Sequence, residues 1–208
     1  MDFFSIHSFQ PQAIIEYGGI ALLLLVVFIE TGIFFGFFLP GDSLLFVAGI
    51  LSDSPYIDLP IWLLAILVII AAVAGTAVGY LSGYWAKGFL DRRRETFFYR
   101  KSYLELADRF YQRHGMKAFI LGRFLPIIRT FVPILAGMVR VNFKTFLFYN
   151  ILGATIWATS LIFAGHWIGN AFPAVVENLE LIIVGMILLS GLPIFLSWWK
   201  YRKVIVNE

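Results

Sequence analysis

The sequence GFFLPGDSLLFVAG spans residues 36–49 and GRFLPIIRTFVPILAG spans residues 122–137, and these two stretches decide the fold. Both begin Gly-x-Phe-Leu-Pro, both end Ala-Gly, and proline breaks the apolar sequence in each. After Pro40-Gly41 only nine residues, 43–51, remain before a polar run, whereas a helix needs about 20 residues to cross a bilayer. Each stretch therefore predicts a re-entrant hairpin, which turns inside the membrane and returns to the face it entered from.

Each hairpin is followed by a long apolar segment, so the unit of hairpin plus helix occurs twice. The predicted hairpins are 16–51 and 119–138, and the predicted transmembrane helices are 61–86 and 146–168. Pro40 and Gly41 interrupt the first hairpin, and Pro126 and Pro133 interrupt the second. A unit with one full crossing inverts when it is repeated, so the two hairpin tips meet near the midplane, as in inverted-repeat transporters. Chance similarity in a chain rich in Phe, Leu and Gly is the alternative.

The composition predicts an integral membrane protein. Of the 208 residues, 60% are hydrophobic and 14% are charged, which is more apolar surface than a soluble domain of this length can bury. The fold class expected is an all-α polytopic membrane protein, with residues 1–208 forming a single membrane domain. An extra C-terminal transmembrane helix, predicted at 179–199, follows the inverted repeat.

The positive charges predict the orientation in the membrane. No Lys or Arg precedes Lys87, and nine of the sixteen lie in 87–117. By the positive-inside rule this region and the C-terminal tail are cytoplasmic, which is the arrangement of an inner-membrane protein. Residues 91–117 form either an amphipathic linker on the membrane surface or a solvated loop that only fixes the topology. Nucleic-acid binding is a poor interpretation of charges placed in this way.

Four ionisable residues lie within apolar hairpin sequence, namely Glu30, Asp42, Arg123 and Arg129. Charges at membrane depth cost a few kcal/mol, so they usually face a cavity, pair with one another or take part in transport. The guanidinium groups of Arg123 and Arg129 suit a phosphate or carboxylate ligand. Glu30 and Asp42 are candidates for proton coupling. The alternative is structural, with two acid–base pairs that lock the hairpin tips together.

The remaining motifs predict packing rather than chemistry. Gly75, Gly79 and Gly83 are spaced by four and permit close helix contact, which either joins subunits of a homo-oligomer or packs helices of one chain. The chain has no Cys, and its three His share no metal-ligand spacing. No Ser–His pair suggests itself either. We therefore expect no catalytic residues, no metal and no cofactor, and we expect that the protein is not an enzyme.

Several motifs resemble those of the DedA family, also called the SNARE-associated or VTT-domain family. They are FFLPGD ending at Asp42, GRFLPIIRT at 122–130, GYLSGYWAKG at 79–88 and FYNILGATIW at 148–157. The resemblance covers roughly residues 16–170, and the second hairpin motif is its most specific part. One departure is Thr76, since many members have Asn after the first glycine of this helix.

The resemblance implies opposed re-entrant hairpins and movement of lipids between leaflets. In bacteria the family includes transporters of undecaprenyl phosphate and of phosphatidylethanolamine, eukaryotic relatives scramble phospholipids, and several members are linked to the proton-motive force. The family's essential acids correspond to Glu30 and Asp42, and its essential arginines to Arg123 and Arg129.

We therefore expect a lipid flippase or scramblase in a bacterial inner membrane, with a phospholipid or polyprenyl-phosphate lipid and protons as its partners. Arg123 and Arg129 would hold the lipid phosphate, and Glu30 and Asp42 would respond to protons. One alternative is a cation/proton secondary transporter that uses the two acids as its ion site. A second alternative is a structural membrane chaperone.

Overall fold

The computed structural model describes residues 11–33, 39, 41–54, 57, 59–90, 115, 120, 122–124, 126–172 and 185. Within these ranges the chain forms helices and no strand, so the all-α class is confirmed. The helices are α1 (Pro11–Gly32), α2 (Gly41–Ile50), α3 (Ile61–Leu90), α4 (Pro126–Met138) and α5 (Phe143–Ala171). Short 3-10 turns follow α2 at Leu51–Asp53 and precede α4 at Gly122–Phe124.

Two of these helices are long and apolar enough to cross a membrane, at Ile61–Ala86 and Phe143–Ala171. They coincide with the spans predicted at 61–86 and 146–168. Exposed aromatic side chains lie near both ends of each helix, with Trp62 and Trp85 on α3 and Phe143 and Trp167 on α5. At 1.5 Å per residue these pairs are about 35 Å apart, which is close to the separation of the two interfaces of a bilayer.

The other described helices are shorter and accompany the predicted hairpins. α2 has 10 residues and α4 has 13, so their lengths of about 15 and 20 Å are too short to cross the hydrocarbon layer. α1 has 22 residues and is kinked at Gly19, whose φ is 56°. The predicted span 179–199 and nearly all of the linker 91–117 lie outside the described residues.

The prolines of the two hairpin motifs differ in their positions. α2 begins at Gly41, directly after Pro40, and α4 begins at Pro126, where the missing N–H of a proline costs nothing. Pro133 lies inside α4 and does not end it, contrary to its predicted role as a breaker. Because proline lacks an N–H, the carbonyl of Arg129 four residues earlier receives no helical hydrogen bond from it.

α2 packs tightly against α5 at two glycines. A Cβ atom at Gly49 would overlap the carbonyl oxygen of Ile162, and a Cβ atom at Gly165 would overlap that of Phe46. Neither position has room for any side chain, so the two backbones lie in direct contact.

α3 and α4 make the same contact with other residues. A Cβ atom at Gly137 would overlap the carbonyl oxygen of Tyr80, and one at Gly83 would overlap that of Ile134. The two crossings have the same spacing. In each, the glycine of one helix contacts the backbone carbonyl that lies three residues before the glycine of the partner helix. The short helix of each hairpin motif is therefore packed on the long helix that belongs to the other motif.

Candidate functional site

The four ionisable residues singled out in the sequence lie together, and we call them the ion cluster (Glu30, Asp42, Arg123 and Arg129). Glu30 lies in the last turn of α1, Asp42 is the second residue of α2, Arg123 lies in the 3-10 turn before α4, and Arg129 lies in α4. Glu30 is 1% exposed and each arginine is 3% exposed. Only the side chain of Asp42, at 25%, is partly accessible.

The ion cluster lies well inside the two long helices rather than at their ends. Its neighbours on these helices include Thr76 on α3 and Trp157 on α5. Thr76 is about 21 Å along α3 from Trp62 and about 14 Å from Trp85. Trp157 is about 21 Å along α5 from Phe143 and about 15 Å from Trp167. The charges therefore lie at the depth of the hydrocarbon layer if the exposed aromatic residues mark its interfaces.

Arg129 pairs with both acids. Its Nη2 donates to Oε1 of Glu30, and its Nη1 donates to Oδ1 of Asp42 at 2.9 Å. The same Asp42 oxygen accepts a hydrogen bond of 2.8 Å from the indole Nε1 of Trp157. This one guanidinium therefore links α1, α2 and α4, and Trp157 adds α5 to the connection.

The glycine between Pro40 and Asp42 makes room for the carboxylate of Glu30. A Cβ atom at Gly41 would overlap the Glu30 carboxylate, so any other residue would displace the acid from Arg129. Since Gly41 is the first residue of α2, the carboxylate lies at the positive end of that helix dipole. The predicted breaker Gly41 thus also shapes the ion cluster.

Arg123 has a different environment, because its side-chain partners among the described residues, Thr76 and Asn150, are neutral. Its Nη2 donates to Oγ1 of Thr76 at 3.1 Å and to Oδ1 of Asn150. Both partners are oriented by backbone carbonyls, since the Thr76 hydroxyl donates to Ala72 at 2.6 Å and the Asn150 amide donates to Val73 at 3.3 Å. Among the described residues no carboxylate pairs with Arg123.

Trp157 holds the two guanidinium groups over one indole ring. The Cζ atom of Arg129 is 5.1 Å from the ring centroid and that of Arg123 is 5.9 Å from it. Both distances lie within the range of cation–π attraction, which is stronger when the groups are desolvated. Trp157 is 1% exposed, so its buried ring attracts both cations and partly offsets the repulsion between them.

A small cavity lies between the arginines. Its lining residues come from α3, α5, the 3-10 turn and α4: Thr76, Gly122, Arg123, Arg129, Val132, Pro133 and Asn150. The cavity volume is about 10 Å³, which is room for about one water molecule. Within the part of the chain that the structure describes, three buried polar atoms of the cluster lack a hydrogen-bond partner, namely Glu30 Oε2, Arg123 Nη1 and Arg129 Nε.

The predicted roles of the other residues fall on packing contacts. A Cβ atom at Gly75 would overlap the Thr31 hydroxyl and the Phe28 carbonyl of α1. Gly79 has its nearest neighbour, the carbonyl oxygen of Gly32, at 3.4 Å from such a Cβ atom. The glycine helix therefore packs against α1 at Gly75 and, as described above, against α4 at Gly83.

The structure corrects the expectation that the chain has no Ser–His pair. Ser52 Oγ lies 2.9 Å from Nδ1 of His166, and its hydroxyl donates to the carbonyl of Gly49 at 2.8 Å. The serine proton is thus engaged by the backbone, and the pair joins the ends of α2 and α5. Within the residues that the structure describes, no three His, Cys, Asp or Glu side chains are grouped to hold a metal.

Three residues of the site were not identified as such from the sequence. Asn150 and Trp157 lie within the motif at 148–157 but received no role, and Thr76 was noted only as a departure from the family. Trp157 carries one usable signal, since tryptophans of membrane proteins concentrate at the interfaces and this one lies mid-helix. Thr76 and Asn150 carry no such signal, because their role depends on contacts with a distant segment.

The variant Trp157→Phe is expected to lower the free energy of unfolding by about 1–3 kcal/mol, because it removes a hydrogen bond to a charged group while keeping an aromatic ring. Thermal unfolding of the detergent-solubilised protein measures the change. Trp167→Phe is the matched control, since Trp167 is 66% exposed. Equal midpoints for the two variants would contradict a role for the indole N–H at Asp42.

The two long apolar helices and the buried cluster define an all-helical membrane protein with two candidate spans and with ionisable side chains buried between its helices. The VTT domain matches residues 39–167, which contain Asp42, both arginines, Thr76, Asn150 and Trp157. The chain belongs to the DedA family of VTT-domain membrane proteins, as its motifs predicted.

Relatives are similar over most of their length. Protein DedA of Escherichia coli (strain K12) is 42% identical over 194 residues, which cover 92% of this chain and 88% of that protein. An uncharacterised membrane protein of Mycobacterium leprae is 36% identical over 93% of this chain and 86% of its own. The inner membrane protein YqjA of Escherichia coli (strain K12) is 30% identical over 72% of this chain and 67% of its own. No solved structure matches the chain.

Proposed function

We propose that the protein is a flippase or scramblase that moves a phosphate-bearing lipid, such as undecaprenyl phosphate or phosphatidylethanolamine, between leaflets of a bacterial inner membrane. The observation that carries the proposal is the pair of buried arginines that line one cavity, each with an unpaired N–H donor. Buried cations with free donors are suited to an oxyanion. A phosphate is the oxyanion that a lipid headgroup brings to this depth.

The two-unit architecture that we propose is an inverted repeat of re-entrant hairpin plus transmembrane helix. Its support is the equivalent placement of the glycine contacts, α2 on α5 and α3 on α4, together with short helices at both hairpin motifs. In inverted-repeat transporters the substrate site lies where interrupted segments meet. The ion cluster has that position here. The charge distribution of the sequence supports a cytoplasmic C-terminus, which is part of this proposal.

Charge balance gives Glu30 and Asp42 a role in transport. The two arginines and two carboxylates of the cluster sum to zero net charge when all are ionised, and an anion that enters adds an uncompensated negative charge. Uncompensated charge is costly at this depth. A proton taken up by either acid restores neutrality and weakens that acid's hold on Arg129, so anion and proton enter together.

The cavity requires a conformational change before a headgroup binds. Its volume of about 10 Å³ holds one water and not a phosphate group. The described state is therefore closed, and a lipid shifts the protein toward an open state only by binding that state more tightly. Release of Arg129 from one acid is the change in contacts that we expect to accompany opening.

Proteoliposomes test this function directly. Leaflet-to-leaflet movement of labelled undecaprenyl phosphate and labelled phosphatidylethanolamine is measured with and without a pH gradient, for the wild type and for Arg129→Ala. We expect one lipid to move in the wild type, faster with the gradient, and to stop moving in the variant. Full transport by the variant would overturn the role of the arginine in phosphate binding.

The main alternative, a cation/proton exchanger, is disfavoured by the position of Arg129. Its guanidinium already occupies the space between Glu30 and Asp42, where a transported cation would have to bind. The same vesicles loaded with a cation-sensitive dye test this alternative. Cation flux in the absence of lipid movement would favour it. We propose no enzymatic activity, because the hydroxyl of Ser52 is engaged by the backbone.

A further inference from the structure

We propose that the two arginines have different tasks: Arg123 is the anion anchor, and Asn150 is the residue that preserves its charge for the ligand. The ligand class is a tetrahedral oxyanion, the phosphate of a lipid headgroup or free phosphate. This inference rests on the proposed function and assigns roles to Asn150 and Thr76 that the sequence did not suggest.

The two arginines of the ion cluster differ in how their charge is balanced. Arg129 is held by two carboxylates, Glu30 and Asp42, so its charge is more than balanced. Arg123 is held by a hydroxyl and an amide oxygen, which accept its hydrogen bond but do not neutralise it. An approaching anion is therefore attracted by Arg123. At Arg129 it meets a group whose charges sum to a negative value, because two carboxylates surround one guanidinium.

The two arginines also differ in which of their N–H donors make hydrogen bonds. An arginine has five N–H donors and no acceptor. Arg129 uses Nη1 and Nη2 for the acids, and Nε is left without a partner. Arg123 uses Nη2, and Nη1 is left without a partner. Both residues line the same cavity, so Arg123 Nη1 and Arg129 Nε are the donors left for one oxyanion once the cavity has opened.

The side chain of Asn150 is oriented by a contact with the backbone. Its amide nitrogen donates to the Val73 carbonyl, which directs its oxygen to Arg123. A carboxylate of the same shape would make a stronger bond to Arg123. It would also cancel the charge that attracts the anion. The amide is thus the weaker partner for the arginine and the one that permits ligand binding.

The isosteric variant Asn150→Asp separates the two possible roles of this contact. If the contact served only stability, the added ion pair would offset the lost hydrogen bond to the Val73 carbonyl, and transport would continue. If Arg123 is the anion anchor, phosphate binding falls at least about tenfold and lipid movement stops. Asn150→Ser is the matched control, because it is neutral and leaves Arg123 its charge.

The experiment measures binding of inorganic phosphate and of a short-chain phosphatidic acid to the purified protein in detergent, and lipid movement in proteoliposomes. We expect Asn150→Asp to lose both probes, and Asn150→Ser, which keeps the surroundings of Arg123 neutral, to bind both at least about tenfold more tightly than Asn150→Asp. Binding of phosphatidic acid alone identifies a lipid headgroup site, and equal binding of both identifies a phosphate site. Wild-type binding by Asn150→Asp would overturn the proposal.

If Asn150→Asp does not insert into the membrane, a second pair of variants at Thr76 on α3 makes the same comparison. Thr76→Asp adds a carboxylate beside Arg123 and is expected to lose binding, whereas Thr76→Val keeps the surroundings neutral and is expected to bind more tightly than Thr76→Asp. Equal binding by this pair would overturn the proposal. Failure of this inference differs from failure of the proposed function: lipid movement that survives Asn150→Asp rejects the anchor alone, whereas phosphate binding without any lipid movement rejects the transporter alone.

Discussion

The variant Arg129→Ala is expected to lower the free energy of unfolding by about 3–5 kcal/mol, because it leaves the buried carboxylate of Glu30 and the partly accessible carboxylate of Asp42 without a cation. Glu30 and Asp42 would then face each other as like charges. Membrane insertion should persist, since the two long apolar helices are unchanged. The measurement is unfolding in mixed detergent micelles with increasing SDS. Lys144→Gln, which removes an exposed positive charge from α5, is the control and should remain within about 0.5 kcal/mol of wild type.

A neutral version of the cluster separates stability from transport. The triple variant Glu30→Gln, Asp42→Asn, Arg129→Met removes all charges from this part of the cluster. It should recover most of the stability lost in Arg129→Ala, because replacing a whole buried ion pair is often neutral or stabilising. It should not move lipid, since the charges have been lost. Transport by the triple variant at the wild-type rate would contradict the charge-balance account.

The second large effect is expected at the crossing of α3 and α4. Gly83→Ala puts a Cβ atom onto the backbone carbonyl of Ile134, and a backbone atom cannot move aside as a side chain can. We expect a loss of about 1–3 kcal/mol, the usual cost of overpacking a tight contact. The same unfolding assay in detergent and SDS measures it.

Gly79→Ala is the matched control on the same helix. A Cβ atom at Gly79 would have its nearest neighbour at 3.4 Å, an ordinary contact. Alanine also has a higher helix propensity than glycine by about 1 kcal/mol. Gly79→Ala should therefore be as stable as the wild type or slightly more stable. A destabilised Gly79→Ala together with an unaffected Gly83→Ala would contradict the packing of α4 on α3 described here.

Much of the fold followed from the sequence because membrane proteins obey simple length rules. The spans at 61–86 and 146–168 were predicted from apolar length, and the described helices α3 and α5 match them. The hairpin motif predicted segments too short to cross, which α2 and α4 are. Pro133 was predicted less well: it lies inside α4, where the loss of one hydrogen bond is tolerated.

The candidate site followed only in part, because its organisation depends on contacts between distant segments. The cost of burying charge was sufficient to single out Glu30, Asp42, Arg123 and Arg129. It was not sufficient to tell that one arginine takes both acids and the other takes none. That division depends on how α1, α2 and α4 meet, and no local pattern in any one of them encodes it.

The packing of each short helix on the long helix of the other motif has a consequence for biosynthesis. The acids of the cluster, Glu30 and Asp42, are synthesised in the first half of the chain, and their cation arrives only with Arg129. Until then the nascent first half has two carboxylates without a cation, and the glycine faces of α2 and α3 lack their partners. The native contacts of the first half are therefore completed only after the second half has been synthesised.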